Sequence, residues 1–181
     1  MKELYLIDGY GGSPKVNWLD WVGNQIGNDF QVKKVFVARP SEAVVDKFDR
    51  ALFEQINEVE DAYFVCHSLG CVSLLRYLIN SKRRPKGIIF VSPFDQHISE
   101  YDMFDDFFVH DSLEFVSMTS HNSIVISSQD DSIIPWQFSQ QIAKKLTIPF
   151  LLLPIGGHFR ATEGVITLPE VISYINNHWK Q

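Results

Sequence analysis

The chain is poor in cysteine, short of basic residues and without any long apolar run, and each shortage removes a class of function. Its two cysteines, Cys66 and Cys71, stand five residues apart, which is neither a C-x-x-C redox spacing nor part of a zinc-ligand set. Both read as reduced, packed thiols. With 16 Lys and Arg against 22 Asp and Glu, the net charge of −6 argues against a nucleic-acid partner, because a phosphate-binding face needs clustered cations. The one tight basic cluster, Lys82-Arg83-Arg84, follows an expected helix, where cations meet the negative end of the dipole. The apolar run after Met1-Lys2-Glu3 is too short and broken for a signal peptide or a bilayer span. A cytoplasmic protein with no membrane association is therefore expected. Neither G-x-x-x-x-G-K-[ST] nor G-x-G-x-x-G occurs, so no phosphate-cradling loop is expected either.

What the chain does have is alternation. Short β-rich runs at 4–7, 32–37, 62–66, 87–91, 123–127 and 150–153 are separated by amphipathic stretches near 17–28, 42–57, 69–80, 136–146 and 168–179. Runs such as Gly87-Ile88-Ile89-Phe90-Val91 lack polar alternation, which marks strands buried on both faces. The pattern predicts an α/β fold: a compact, mostly parallel sheet of about six strands with helices on both faces. No repeat, low-complexity tract or Gly/Ser linker interrupts it, so residues 1–181 are expected to form one domain. Residues 93–121, where acids alternate with Phe94, Tyr101, Phe104, Phe107, Phe108 and Phe115, are too long for an ordinary connection. A small cap beside the active site, or a plain surface helix, would account for them.

The chemistry concentrates at strand ends. Tyr63-Phe64-Val65-Cys66-His67-Ser68-Leu69-Gly70-Cys71 is an apolar strand entering a helix through a tight turn with Ser at its apex. That is the setting of the nucleophile elbow G-x-S-x-G, here with Cys66 in place of the first glycine. A serine hydroxyl is a poor nucleophile near neutral pH, so a base and an orienting acid must follow in the order Ser, Asp, His. Asp130 and Asp131 follow the strand at 123–127, and His158 follows the strand at 150–153. Each alone has a plain reading, a helix cap for the acids and a loop histidine for His158. Their order on the ends of three strands is what points to a triad. An oxyanion hole needs backbone N–H groups from the residue after the nucleophile and from an earlier loop. Leu69 would supply the first, and Tyr10, in the glycine-rich Asp8-Gly9-Tyr10-Gly11-Gly12-Ser13-Pro14, the second.

These pieces resemble the small serine-hydrolase family of the α/β-hydrolase superfamily that includes YdeN-like and retinoblastoma-binding-protein-9-like chains. The resemblance covers nearly the whole chain. It rests on Gly9-Tyr10-Gly11-Gly12-Ser13-Pro14 with Trp18 and Trp21, His67-Ser68-Leu69-Gly70-Cys71, Asp130-Asp131-Ser132-Ile133-Ile134-Pro135-Trp136, and Gly157-His158-Phe159 with Glu163-Gly164. In this family the catalytic aspartate precedes a proline by four residues, which selects Asp131 over Asp130. The resemblance implies an α/β-hydrolase fold with a minimal cap. One branch of the family is named for binding a regulatory protein, but no short partner-binding motif is readable here.

The expected function is hydrolysis of a small ester, thioester or activated amide, with Ser68 as nucleophile, His158 as base and Asp131 as its orienting acid. No metal or organic cofactor is required. Trp18, Trp21, Trp136 and Phe159 flank the catalytic loops and could line an acyl pocket, although aromatics in a small domain more often fill its core. The rival readings are a non-catalytic protein- or ligand-binding module on a hydrolase scaffold, transfer of the acyl group to an acceptor other than water, and metal-dependent hydrolysis through Asp130, Asp131 and His158.

Overall fold

The computed structural model describes residues 1–109 and 122–180. Six parallel strands, β1 (Lys2–Ile7), β2 (Phe30–Val35), β3 (Ala62–His67), β4 (Gly87–Val91), β5 (Ile124–Ser128) and β6 (Phe150–Leu153), form one sheet in the order β2-β1-β3-β4-β5-β6. Five helices connect and cover them: α1 (Asn17–Gln25), α2 (Val45–Gln55), α3 (Leu69–Ser81), α4 (Trp136–Leu146) and α5 (Pro169–His178). Strand residues alternate between two cores. Tyr5, Ile7, Phe64, Cys66, Ile88 and Phe90 meet Leu52 of α2, Leu74, Leu75 and Leu78 of α3, and Ile142 and Leu146 of α4. Leu4, Leu6, Val65, Ile89, Val91 and Ile126 meet Trp18, Leu19 and Val22 of α1 and Val171 and Ile175 of α5. Because both faces are covered, β3 and β4 are buried along their whole length, as their unbroken apolar runs require.

The strand most displaced from the sequence reading is β2. The run expected at 32–37 is paired at Phe30–Val35 instead, because β2 can bond only where β1 lies beside it, from Lys2 opposite Phe30 to Ile7 opposite Val35. Past Val35 the main chain of Phe36 bonds to the side chain of Gln55 in α2 instead. Among the described residues no helix is long and apolar enough to cross a membrane.

The strand order decides where chemistry can happen. From β1 the chain runs outward to β2 and then returns to the other side of β1 for β3. The carboxyl ends of β1 and β3 thus flank the point where the winding reverses, which is where open α/β sheets leave a crevice for a ligand. Asp8 and Ser68 open the loops after these two strands. Of the segment 93–121, expected to be a small cap or a plain surface helix, residues 93–109 are described, while 110–121, with Phe115, lie outside the described residues. A short 3-10 helix at Asp102–Phe107 buries Phe104 and Phe107, together with Phe94, against Phe48 of α2, Leu69 and Val72 of α3, and Ile134. Its Phe104 ring meets the edge of Tyr10, 5.3 Å between centroids.

Candidate active site

Ser68 is the single residue between β3 and α3, and it has φ 52° and ψ −125°. A side chain seldom adopts this backbone, which costs on the order of 1–3 kcal/mol and is held only by firm surroundings. Two of these are visible: the Ser68 N–H donates to the Val91 carbonyl (2.9 Å), and the Cys71 N–H closes back onto the Ser68 carbonyl (2.9 Å). The turn is also wedged against the loop after β1. A Cβ on Gly70 would lie 2.6 Å from the Asp8 carbonyl oxygen, and one on Gly9 would lie 2.9 Å from the Leu69 nitrogen. Both positions therefore need glycine, and the missing side chains bring the two loops into contact. Cys66 fits where the elbow usually has glycine because its side chain enters the core with Ile7 and Phe90, its thiol reaching the Ile89 carbonyl (3.5 Å). Burial pushes that thiol well above its usual range, so it remains protonated and unreactive.

The residues singled out at three strand ends converge. His158 Nε2 lies 2.9 Å from Ser68 Oγ, and His158 Nδ1 lies 2.9 Å from Asp131 Oδ2. The Asp131 side chain is fully withdrawn from water. Its Oδ1 accepts the N–H groups of Ile133 (2.9 Å) and Ile134 (2.8 Å), and its Oδ2 also accepts the Ser92 hydroxyl (2.9 Å). An ionised carboxylate buried this way is tolerable because its lone pairs are satisfied. Burial lowers the proton affinity of His158 below that of an ordinary imidazole; the Asp131 carboxylate opposes the shift, and the nearby His67 and Arg160 add to it.

The loop carrying His158 is held from two sides. Asp130 Oδ1 accepts the N–H groups of Gly156 (2.9 Å) and Gly157 (2.8 Å), and the Ser128 hydroxyl donates to the Gly157 carbonyl. Glu163 Oε2 accepts the His158 N–H (3.0 Å), and the Glu163 carboxylate also pairs with Arg160. Asp130 and Asp131 thus divide their work, one shaping the histidine loop and the other contacting the imidazole.

Among the described residues, neither the Leu69 N–H nor the Tyr10 N–H donates to a protein acceptor, although both loops are otherwise well bonded. Between them and His158 opens a cleft of about 250 Å³, lined by Tyr10, Val16, Leu19, Ser68, Phe159 and Thr162 among others. Trp18 and Phe159 border it while remaining almost fully buried. Trp21 packs against the core on the α1 face. Trp136 does not line the cleft: at the start of α4 it stacks on Phe150, 6.4 Å between centroids.

Sequence reasoning passed over Ser92 and the pairing of Asp8 with His67. Ser92 is one residue past β4, with φ 47°, and its only advance signal was its position at a strand end. Asp8 and His67 end up adjacent because Ile7 is in register with Cys66, and His67 Nδ1 lies 3.1 Å from Asp8 Oδ1.

Comparison with known proteins identifies the family and the fold. The serine hydrolase family model matches residues 4–177. YdeN of Bacillus subtilis (strain 168) is 30% identical over 186 residues, an alignment spanning 99% of this chain and 97% of the relative. The crystal structure of the ydeN gene product of B. subtilis superposes with a TM-score of 0.88 at 28% identity, covering 100% of both chains. The 2-hydroxy-6-oxo-6-phenylhexa-2,4-dienoate hydrolase of Rhodococcus sp. strain RHA1 shares the fold, with a TM-score of 0.75 at 10% identity over 99% of this chain and 91% of its own.

Proposed function

Because this chain belongs to the serine hydrolase family, we propose that it cleaves a small ester, thioester or activated amide through an acyl-enzyme on Ser68. The observation that carries the reading is the unbroken line of hydrogen bonds from Ser68 Oγ through His158 to Asp131, with 2.9 Å at each step. Nδ1 faces a carboxylate and so carries the ring proton, which leaves Nε2 free to accept one from the hydroxyl. A proton affinity below that of ordinary imidazole keeps His158 neutral and available as a base near pH 7.

In the reaction Ser68 Oγ attacks the carbonyl carbon while its proton passes to His158 Nε2. The Leu69 and Tyr10 N–H groups, which have no acceptor among the described residues, take the negative charge that develops on the carbonyl oxygen, a contribution of about 3–4 kcal/mol per donor. His158 then returns the proton to the departing alcohol, thiol or amine. Water, deprotonated by the same imidazole, releases the acid and restores Ser68. A cleft of about 250 Å³ is smaller than most sites for drug-sized ligands, which favours a short acyl group against Val16, Leu19 and Phe159.

Labelling with a fluorophosphonate probe tests the reading. The wild-type protein should label, Ser68→Ala should not, and His158→Ala should label slower by at least about 10³-fold. A folded wild-type protein that resists the probe would overturn the acyl-enzyme and put a binding module on a hydrolase scaffold in its place.

A further inference from the structure

His67 is a second buried imidazole, its ring centroid 5.0 Å from that of His158, and its hydrogen bonds constrain its protonation. Nδ1 faces Asp8 Oδ1 at 3.1 Å, and Nε2 faces the main-chain carbonyl oxygen of His158 at 3.0 Å. A carboxylate and a carbonyl can only accept, so both contacts become hydrogen bonds only if both ring nitrogens carry hydrogen. A neutral ring would set a nitrogen lone pair against one of these oxygens in a site shut off from water, which is unfavourable.

The charges around the ring are compatible with that state. Asp8, from the end of β1, is buried and supplies the counter-charge; burial works against its ionisation, but the His67 contact and the Gly9 N–H (2.8 Å) outweigh it and hold the carboxyl below its usual range. α1 presents Trp18, an uncharged ring 5.7 Å away. The β6–α5 loop presents His158 itself, and beyond it lie Asp131, Arg160 and Glu163, each already paired.

We infer that Asp8 and His67 form a charged positioning pair, with His67 an imidazolium that clamps the His158 main chain, while Asp8 clamps Gly9 in the oxyanion loop. The pair thereby ties three chain segments to one another: the loop after β1 through Gly9, the elbow through His67 itself, and the loop after β6 through the His158 carbonyl. His67 touches no reacting atom. It sets the distance over which Ser68 and His158 exchange a proton, and its charge disfavours a second charge on His158. This role rests on the reading of Ser68 and His158 as the reacting pair, whereas the protonation state of His67 does not.

Two readouts separate these. In protein labelled with ¹⁵N-histidine, long-range ¹H–¹⁵N correlation at pH 8, assigned with His67→Gln, should show His67 with both ring nitrogens protonated and His158 with one. An unprotonated nitrogen on His67 in the wild-type protein would overturn the charged pair, and this measurement needs no turnover. The second readout is the pH profile of probe labelling. Replacing His67 by Gln removes a positive charge beside His158 and leaves Asp8 uncompensated, and both changes favour a protonated His158. The acid limb of the profile should therefore move to higher pH, and the plateau rate should fall by about 10²-fold. A limb that stays in place while the plateau falls would reduce His67 to a packing residue and overturn the positioning role.

Discussion

Two aspartate–histidine pairs lie side by side at the carboxyl edge of the sheet, and they look alike until the third partner is considered. Asp131 meets His158 at 2.9 Å and Asp8 meets His67 at 3.1 Å, and in both the side chains are largely withdrawn from water. The free nitrogen of His158 faces a hydroxyl, which can donate or accept, so the ring can be neutral and can change its protonation. The free nitrogen of His67 faces a carbonyl, which can only accept, so the ring is held in one state. The carboxylates differ as well. Asp131 collects two backbone N–H groups and the Ser92 hydroxyl as well as its imidazole, and so is positioned independently of it. A histidine in a buried pair becomes a base or a fixed cation according to the atom opposite its second nitrogen, and the carboxylate does not decide it.

The hardest blow to this contrast would come from the two carboxylates. Asp131→Asn should lower kcat for an activated ester by about 10⁴-fold, because the amide favours the wrong tautomer of His158. Asp8→Asn should cost about 10²-fold, since it loosens positions but leaves the tautomer of His158 in place. Equal losses, measured side by side on one substrate, would mean that the pairs are not distinct in role. A smaller effect is expected at Ser92→Ala, which removes one of the four bonds to Asp131 and should lower kcat/KM about tenfold, the equivalent of one hydrogen bond to a charged group. A loss as large as that of Asp131→Asn would show that the hydroxyl, and not the backbone, holds the carboxylate.

The smallest effects lie in stability, and there the pairs should separate by pH. Folding lowers the proton affinity of His158, so on acidification the unfolded chain binds a proton first, and stability falls as pH drops below about 6.5. His158→Gln should flatten this decline in urea midpoints between pH 7 and 5. Folding also lowers the Asp8 pKa, so its contribution is complete above about 3.9 and is lost only as pH falls through its lower folded value. Asp8→Asn should therefore narrow the difference between pH 5 and strongly acidic conditions. A decline between pH 7 and 5 that His158→Gln leaves unchanged would overturn the assignment to His158.

The two pairs were not equally visible before the fold was known. Ser68, Asp131 and His158 each follow an apolar run, and such runs can be recognised one at a time from local pattern. Their convergence needed only a parallel sheet, since all strands of such a sheet end at the same edge. Selecting Asp131 over Asp130 needed the family resemblance, and the structure shows why spacing alone was silent: both carboxylates are engaged, one with His158 and the other with Gly156 and Gly157. Trp136 shows the opposite difficulty. It lies five residues from Asp131, yet α4 turns its ring onto Phe150 and away from the cleft. Closeness in sequence to a site residue says little about the direction of a helical side chain.

What the sequence alone determined is the layered α/β architecture and the strand-end placement of Ser68, Asp131 and His158, because periodicity and turn chemistry act within a few residues. What only the tertiary structure decided is which strands are neighbours. β1 could have lain beside any of several equally apolar strands, and only its pairing with β3, Ile7 opposite Cys66, sets Asp8 against His67. The same holds for Ser92, brought to Asp131 by the pairing of β4 with β5. Strand order is settled by crossover connections and by burial summed over the whole sheet, and no local stretch of chain carries that information.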